Sequence, residues 1–445
     1  MPRNILNLSS YAIARIEEDE HDYHIWAEAA AHPSTCQRCG HGEVVGFGRR
    51  EQLVRDLPMH GKRVGICVDT RRYRCRQCGK TFYERLPAVD ERRMMTTRLI
   101  EWVGKQSVKR LFAHLAEEVG LAENTVKNVF RDYINELERT VRFEVPRWLG
   151  IDEIHIIRKP RCIISNIEHN TAVEVLPDRA KRTVMTYFQG LKGREKVRYV
   201  AMDMWNPYRE SVQTLIPQAT IVIDKFHVVR MANEALESVR KAQRAELSTR
   251  QRRGLMHDRF VLLKRRADLT DEEYLKLTGW TANYPALGAA YDAKEAFYGI
   301  WDMETRPEAE RAYNVWKSGL TADMREAFHP LIRAVDNWHP HIFAYFDHRV
   351  TDAYTESLNN LIRVMNRLGR GYSFEALRAK ILFSEGAHKV KRPSFQRCNQ
   401  TPAMGDSMME SWDRMETFAQ MSNDEPINYG AEISALVRMI GEGVI

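Results

Sequence analysis

Trp148-Leu149-Gly150-Ile151-Asp152-Glu153-Ile154-His155-Ile156-Ile157 is an apolar run broken by two acids. A run of this kind reads as a buried strand, where a carboxylate is costly unless something pairs with it. The pattern recurs downstream. Tyr199-Val200-Ala201-Met202-Asp203-Met204 carries Asp203 near its end, and Thr220-Ile221-Val222-Ile223 is followed by Asp224. Working outward, strands are expected at 148–157, 162–168 and 172–177, broken by Lys159-Pro160 and Asn170, as an antiparallel meander. A helix over 181–191, a strand over 196–204, a helix over 207–215 and a strand over 220–223 follow.

Three meander strands and then alternating helix and strand is the element order of the RNase H-like fold. In that fold the first and fourth strands are neighbours at the sheet centre. Asp152 and Asp203, 51 positions apart, are therefore expected to meet. A third acid, Glu356, opens the helical pattern Thr355-Glu356-Ser357-Leu358-Asn359-Asn360-Leu361-Ile362-Arg363-Val364-Met365-Asn366-Arg367. Leu358, Leu361, Ile362 and Met365 are read as its apolar stripe, with Glu356, Asn360, Arg363 and Arg367 on the opposite face. Three carboxylates with open positions suit Mg²⁺, a hard ion that keeps several waters.

Upstream, four of the seven cysteines form two pairs, Cys36-Gln37-Arg38-Cys39 and Cys75-Arg76-Gln77-Cys78, each followed by a glycine. Two such pairs make a closed structural Zn²⁺ site. Structural disulfides would fit an oxidising compartment, and nothing in the chain points to one. Cys67, Cys162 and Cys398 have no partner at metal spacing and read as small buried residues. The long interval between the pairs is expected to form strands. From Arg49 to Lys80 it holds ten Lys/Arg against three Asp/Glu, an excess equal to the +7 of the whole 445-residue chain. Such a segment suits a phosphate-facing surface, with Arg49, Arg50, Lys62, Arg63, Arg71, Arg72 and Arg74 as its candidate DNA contacts.

Beyond the ribbon, spacings of three and four over 94–141 read as helices. Residues 111–126 have a helix-turn-helix layout, with Gly120 at the turn and a recognition helix from Glu123 to Arg131. Asn124, Thr125, Lys127, Asn128 and Arg131 would face a DNA groove. Residues 107–147 hold seven basic and seven acidic side chains, so charge adds no support. The chain is long enough for several domains. Its 44% hydrophobic and 29% charged content is ordinary for a globular protein. No run of about 18 apolar residues is present, so membrane insertion and secretion are disfavoured.

Taken together, Gly150-Ile151-Asp152-Glu153, Met202-Asp203-Met204, Ile223-Asp224-Lys225-Phe226-His227-Val228 and Glu356-Ser357-Leu358-Asn359-Asn360, with Gly371-Tyr372 and Phe374, resemble the motifs of DDE transposases of the bacterial ISL-three insertion-sequence family. The resemblance runs from the paired cysteines to about Phe383. It implies a multidomain α/β chain: a zinc ribbon (1–90), a helix-turn-helix domain (91–146), an RNase H-like catalytic core in two parts (147–229 and 350–385) split by an all-α insertion (230–349), and a helical tail (386–445). It also implies a cytoplasmic, nucleoid-associated enzyme with Mg²⁺ or Mn²⁺ at Asp152, Asp203 and Glu356. That enzyme would cleave double-stranded DNA at terminal inverted repeats and join the ends to target DNA, as a homodimer or larger assembly. Asp224 and His227 match an accessory Asp-x-x-His motif, and Asp224 stays open as the alternative second ligand. Competing readings are a regulator with a silent core, and a nuclease or junction resolvase on the same fold. Trp280, Trp301, Trp316 and Trp338 in the insertion read as packing residues.

Overall fold

The computed structural model describes residues 7–141, 145–243 and 247–386. The expected tail, with Pro393, Cys398 and Pro402, lies outside the described residues apart from Gly386. The chain divides into two units, Met1–Arg142 and Phe143–Ile445. Among the described residues no helix is long and apolar enough to cross a membrane.

The first unit opens with strands β1 (Tyr11–Glu18) and β2 (Asp22–Ala29). The cysteine pairs flank a long hairpin, β3 (Val44–Met59) and β4 (Lys62–Cys75), and β5 (Thr81–Tyr83), β6 (Val89–Asp90) and β7 (Met95–Thr96) follow. Sheet order is β1-β2-β4-β3-β7-β6, with β5 paired to the C-terminal end of β4 beyond β2. His60 and Gly61 close the hairpin at φ 52° and 81°, the positive pair that a two-residue primed turn needs. Ile25, Val54, Val64, Ile66 and Val68 fill the space beneath the sheet. Three helices follow: α1 (Thr97–Lys109), α2 (Phe112–Val119) and α3 (Glu123–Thr140). Gly120 ends α2 in the left-handed conformation at φ 68°, and α3 begins at Glu123, as the spacing predicts. Ribbon and helices are tied by Asp56, a carboxylate on β3 only 1% exposed. It accepts from Thr96 Oγ1 at 2.6 Å and Arg98 Nε at 2.8 Å.

The second unit is built on β8 (Trp148–Ile156), β9 (Lys159–Asn166), β10 (Thr171–Leu176), α4 (Lys181–Gly190), β11 (Tyr199–Met202), α5 (Asn206–Leu215) and β12 (Thr220–Ile223). Sheet order is β10-β9-β8-β11-β12. The first three strands are antiparallel, and β11 and β12 run parallel to β8. This is the RNase H-like order. Strands covered on both faces read as unbroken apolar runs, and Leu149, Ile151, Val200, Met202, Val222 and Ile223 are fully buried. Two expected boundaries move. The β8–β9 turn falls at Ile157-Arg158, both at positive φ, rather than at Lys159-Pro160. Pro160 pairs with His155 inside β9, but lies beyond the β10 ladder, which ends at Cys162, so its missing N–H costs that ladder nothing. The fourth strand starts at Tyr199, because Arg194–Lys196 is a short 3-10 turn after Gly193.

After β12 the chain is helical: α6 (Lys225–Gln243), α7 (Thr249–His257), α8 (Arg259–Leu263), α9 (Asp271–Asn283), α10 (Pro285–Gly299), α11 (Arg306–Gly319), α12 (Ala322–Ala327) and α13 (His329–His348). Trp301, Trp316 and Trp338 are buried among them, and the partly buried Trp280 donates its indole N–H to Asp258 at 2.7 Å. The chain then returns to the sheet. α14 (Ala353–Leu368) packs on β8 and β9, and α15 (Phe374–Glu385) on β10.

Candidate active site and nucleic-acid contacts

Strand register builds the acidic site. Ile151 pairs with Met202, and Met202 with Ile223. The next residue on each of the three parallel strands is an aspartate, so Asp152, Asp203 and Asp224 stand in a row, Asp152 in the middle of the longer β8 and the other two just past the ends of β11 and β12. α14 lays Glu356 against that row. One ligand atom each from Asp152, Asp203 and His227 lie within 4.8 Å of one another, and the same holds for Asp224, His227 and Glu356. His227 on α6 is shared by both groups, its Nε2 3.9 Å from Glu356 Oε1.

Asp152 is held from two sides. Its Oδ2 accepts from Asn359 Nδ2 at 2.6 Å and its Oδ1 from the Glu153 N–H at 2.6 Å. Burial first, and Asp203 next, push its pKa up to about 7. Burial and Glu153 push Asp203 to about 6; burial and Asp224 push Glu356 to about 9. Asp224 is raised by burial as well. His227 moves the other way, to about 4, because burial and Arg230 oppose its cation. A neutral imidazole among crowded carboxylates is a set of donors that a divalent cation relieves. Asp203 Oδ1 is buried with no hydrogen-bond partner among the described residues, an orphan such a cation would satisfy. Asp224 differs: its Oδ1 accepts the Phe226 N–H at 3.2 Å, and the Asp352 backbone N–H also donates to it.

Asp352, 2% exposed, is a fifth acid of the cluster and stands in none of the sequence motifs. It accepts from Thr355 Oγ1, which shares a hydrogen bond with Ser165 Oγ at 2.5 Å. This chain passes over Gly150, where an added Cβ would collide with Ser165, Asp352 and Thr355. A glycine there lets α14 approach β8 closely. Asn359, within Glu356-Ser357-Leu358-Asn359-Asn360, carries no local signal of its bond to Asp152. The face expected for α14 needs correction as well. Its buried residues are Thr355, Glu356, Leu358, Asn359 and Ile362, whereas Leu361 is exposed, because Glu356 and Asn359 turn toward the acid row. Arg363 donates to Asn360 at 2.7 Å, and Arg367 is exposed one turn on.

In the first unit the four paired cysteines converge. Cys36 and Cys78 sulfurs are 3.8 Å apart and those of Cys39 and Cys75 3.6 Å. Zn–S bonds of roughly 2.3 Å in a tetrahedron place sulfurs about 3.8 Å apart, so the four thiols fit a structural Zn²⁺. Gly40 and Gly79 take φ 75° and 68° in the two knuckle turns. Cys162 is buried, and Cys67 is half-buried.

The basic segment is less free than its composition suggests. Arg49 pairs with Asp69 at 2.5 Å, Lys62 with Glu18 at 2.6 Å, Arg63 with Asp22 through two bonds of 2.6 and 2.7 Å, and Arg71 with Glu28. Three of these acids come from β1 and β2, which lie outside the counted segment. Arg50, Arg72 and Arg74 have no acidic partner among the described residues. Arg50 lies over Tyr83, and Arg72 and Arg74 flank the exposed Phe47. On α3, Asn124, Lys127, Asn128 and Arg131 are exposed and Thr125 half-buried. Lys127 pairs with Glu123 at 2.8 Å. Thr125, Asn128 and Arg131 line a cleft of about 420 Å³ with Arg92 and Arg93.

An RNase H-like core carrying an acid row, preceded in the chain by a zinc ribbon and a helix-turn-helix, is the domain set of a DNA-acting protein. The comparisons with known proteins give the family. The ISL3-type DDE family model, described as a transposase, matches residues 149–381. The zinc-finger of transposases IS204, IS1001, IS1096 and IS1165 matches 32–78, and the helix-turn-helix domain of transposase family ISL3 matches 84–134. The chain belongs to the ISL3 family of insertion-sequence transposases. It is similar to the transposase for insertion sequence element IS1001 of Bordetella parapertussis, 26% identical over 81% of this chain and 92% of that one. It is also similar to the transposase for IS1557 of Mycobacterium tuberculosis, 27% identical over 60% and 66% of the two chains.

Proposed function

We propose that this chain binds the terminal inverted repeats of an insertion sequence, cleaves the DNA there, and joins the freed ends to target DNA. Asp152, Asp203 and Glu356 would hold Mg²⁺ or Mn²⁺. When bound, a pair of such ions supplies activation of a water or 3′-hydroxyl and stabilisation of the leaving oxygen. The single observation that carries this reading is the strand register that lines up Asp152, Asp203 and Asp224 beside Glu356. Asn359 and the Glu153 N–H orient Asp152, while the neutral His227 bridges the two carboxylate groups. Asp224 spends its lone pairs on backbone N–H groups and Asp203 does not. This supports Asp203 as the ligand and Asp224 as a buttress.

Arg50, Arg72 and Arg74 on the ribbon, without acidic partners among the described residues, and Asn124, Thr125, Asn128 and Arg131 on α3 are the proposed end-binding contacts. Arg363 and Arg367 extend the site along α14 toward a phosphate strand. Cys36, Cys39, Cys75 and Cys78 would hold Zn²⁺ and so set the ribbon's shape. Pairing two ends calls for a homodimer or larger assembly on DNA, acting on chromosomal DNA in the cytoplasm. The test is incubation of the full chain with labelled duplexes carrying the element ends and Mg²⁺. Joined products are expected, and Asp152→Ala, Asp203→Ala and Glu356→Ala should each lose cleavage. Retained cleavage in any of them removes that residue from the proposed set, and nicks without joining favour a nuclease.

A further inference from the structure

A cleft of about 320 Å³ opens between the N-termini of α4 and α5 and the start of β9, lined by Lys159, Pro160, Arg179, Lys181, Trp205 and Pro207, with Asp178 at its side. Trp205, Pro160 and Pro207 supply its apolar part, and half of its lining residues are charged. Trp205 is 38% exposed, so part of its ring is open at the cleft. The Arg179 guanidinium lies over its ring at 4.6 Å. Both residues are tied to the acidic row: the Trp205 N–H donates to the Asp203 carbonyl at 2.8 Å, and Arg179 pairs with Glu153, the neighbour of Asp152. Lys159 has no acidic partner among the described residues. Lys181 is shared with Glu210 at 2.5 Å, and Asp178 accepts the Ala180 N–H at 2.8 Å.

We propose that this cleft receives one unstacked nucleobase of the DNA strand beside the cleavage point, stacked on Trp205. The proposal rests on the reading of the acidic row as a DNA-cleaving centre. An indole braced by a guanidinium offers a flat, sequence-tolerant platform. Cationic side chains at the rim suit the backbone on either side of the base. A base held there fixes its phosphate relative to Asp203, only two residues from the platform, and stacking offsets the cost of leaving the duplex. The charge and the flat aromatic floor select a nucleotide over an apolar peptide.

The experiment uses full-length protein, Mg²⁺ and duplexes carrying the element ends, intact or with one abasic position moved through the cleavage region. Trp205→Ala is expected to slow cleavage of the intact duplex roughly ten-fold or more. Trp205→Phe should keep most of the rate, and an abasic site at one flanking position should restore the Ala variant selectively. A duplex left unpaired over those positions separates the sources. Recovery of the Ala variant there indicates a base extruded from paired DNA, and equal slowing on both indicates a base already single-stranded. Cleavage of intact duplex by Trp205→Ala at the parent rate, or no selective rescue at any position, overturns the pocket and leaves the acidic site standing. A parent protein that binds the ends but does not cleave them overturns both.

Discussion

Asp203 and Asp224 occupy equivalent places one step past two paired strands, and only their neighbours tell them apart. Nothing in the local sequence shows that backbone N–H groups engage one carboxylate and leave the other with a bare oxygen. For the same reason Asp352, a lone acid in no motif, passed unread although the fold buries it beside Glu356. Asn359 gives a sharp test at this scale. Removing an outer partner of a ligand costs about 10–100-fold in metal affinity, so Asn359→Ala should raise the Mg²⁺ concentration for half-maximal cleavage by about ten-fold or more with DNA binding unchanged. An unaltered Mg²⁺ requirement would mean that Asp152 needs no such support. Gly150 is the steric counterpart. Gly150→Ala forces a methyl into Ser165, Thr355 and Asp352 and should destabilise the second unit by about 1–3 kcal/mol in chemical denaturation. An unchanged midpoint would show that α14 does not sit this close to β8.

At the scale of elements, the strands of the core were legible because each is a short apolar run ended by a turn signal. Thr220–Ile223 emerges at its expected bounds, and the recognition helix starts at Glu123 as its spacing indicates. What local pattern could not give was pairing between distant strands. β1 and β2 carry Glu18, Asp22 and Glu28 to the basic hairpin, so a charge count confined to 49–80 overstated its free cations. The Ile157-Arg158 turn was hidden too, since two residues of low turn preference take positive φ while the adjacent proline looks like the break. Asp56 and Arg98 join the ribbon to the first helix, a contact between elements that neither stretch announces alone. Removing one partner of a buried pair leaves a charge uncompensated. Arg98→Ala should therefore destabilise the first unit by about 3 kcal/mol, read from its denaturation midpoint, and a loss under about 1 kcal/mol would show that Thr96 alone satisfies Asp56.

For the whole molecule, the crowded acids should link stability to pH and, if they hold a divalent cation, to metal. Asp152, Asp203 and Glu356 have folded pKa values raised to about 7, 6 and 9 from ordinary values of 3.8 and 4.5. Between those limits the folded chain keeps protons that the unfolded chain releases. Stability in a chelator is therefore greatest below about pH 4 as far as these groups are concerned, and falls as pH rises through about 6 to 9. Mg²⁺ should raise the melting temperature more at pH 9 than at pH 5, and Asp152→Asn should flatten both trends. Equal Mg²⁺ effects at the two pH values would contradict the linkage. The proposed chemistry requires that the aspartate row and Glu356 form a divalent-cation site. Anomalous diffraction from crystals of the full chain soaked in Mn²⁺ tests it most directly. Manganese peaks in contact with Asp152, Asp203 and Glu356 are expected; peaks confined to other carboxylates, or none at this row, would rule the site out.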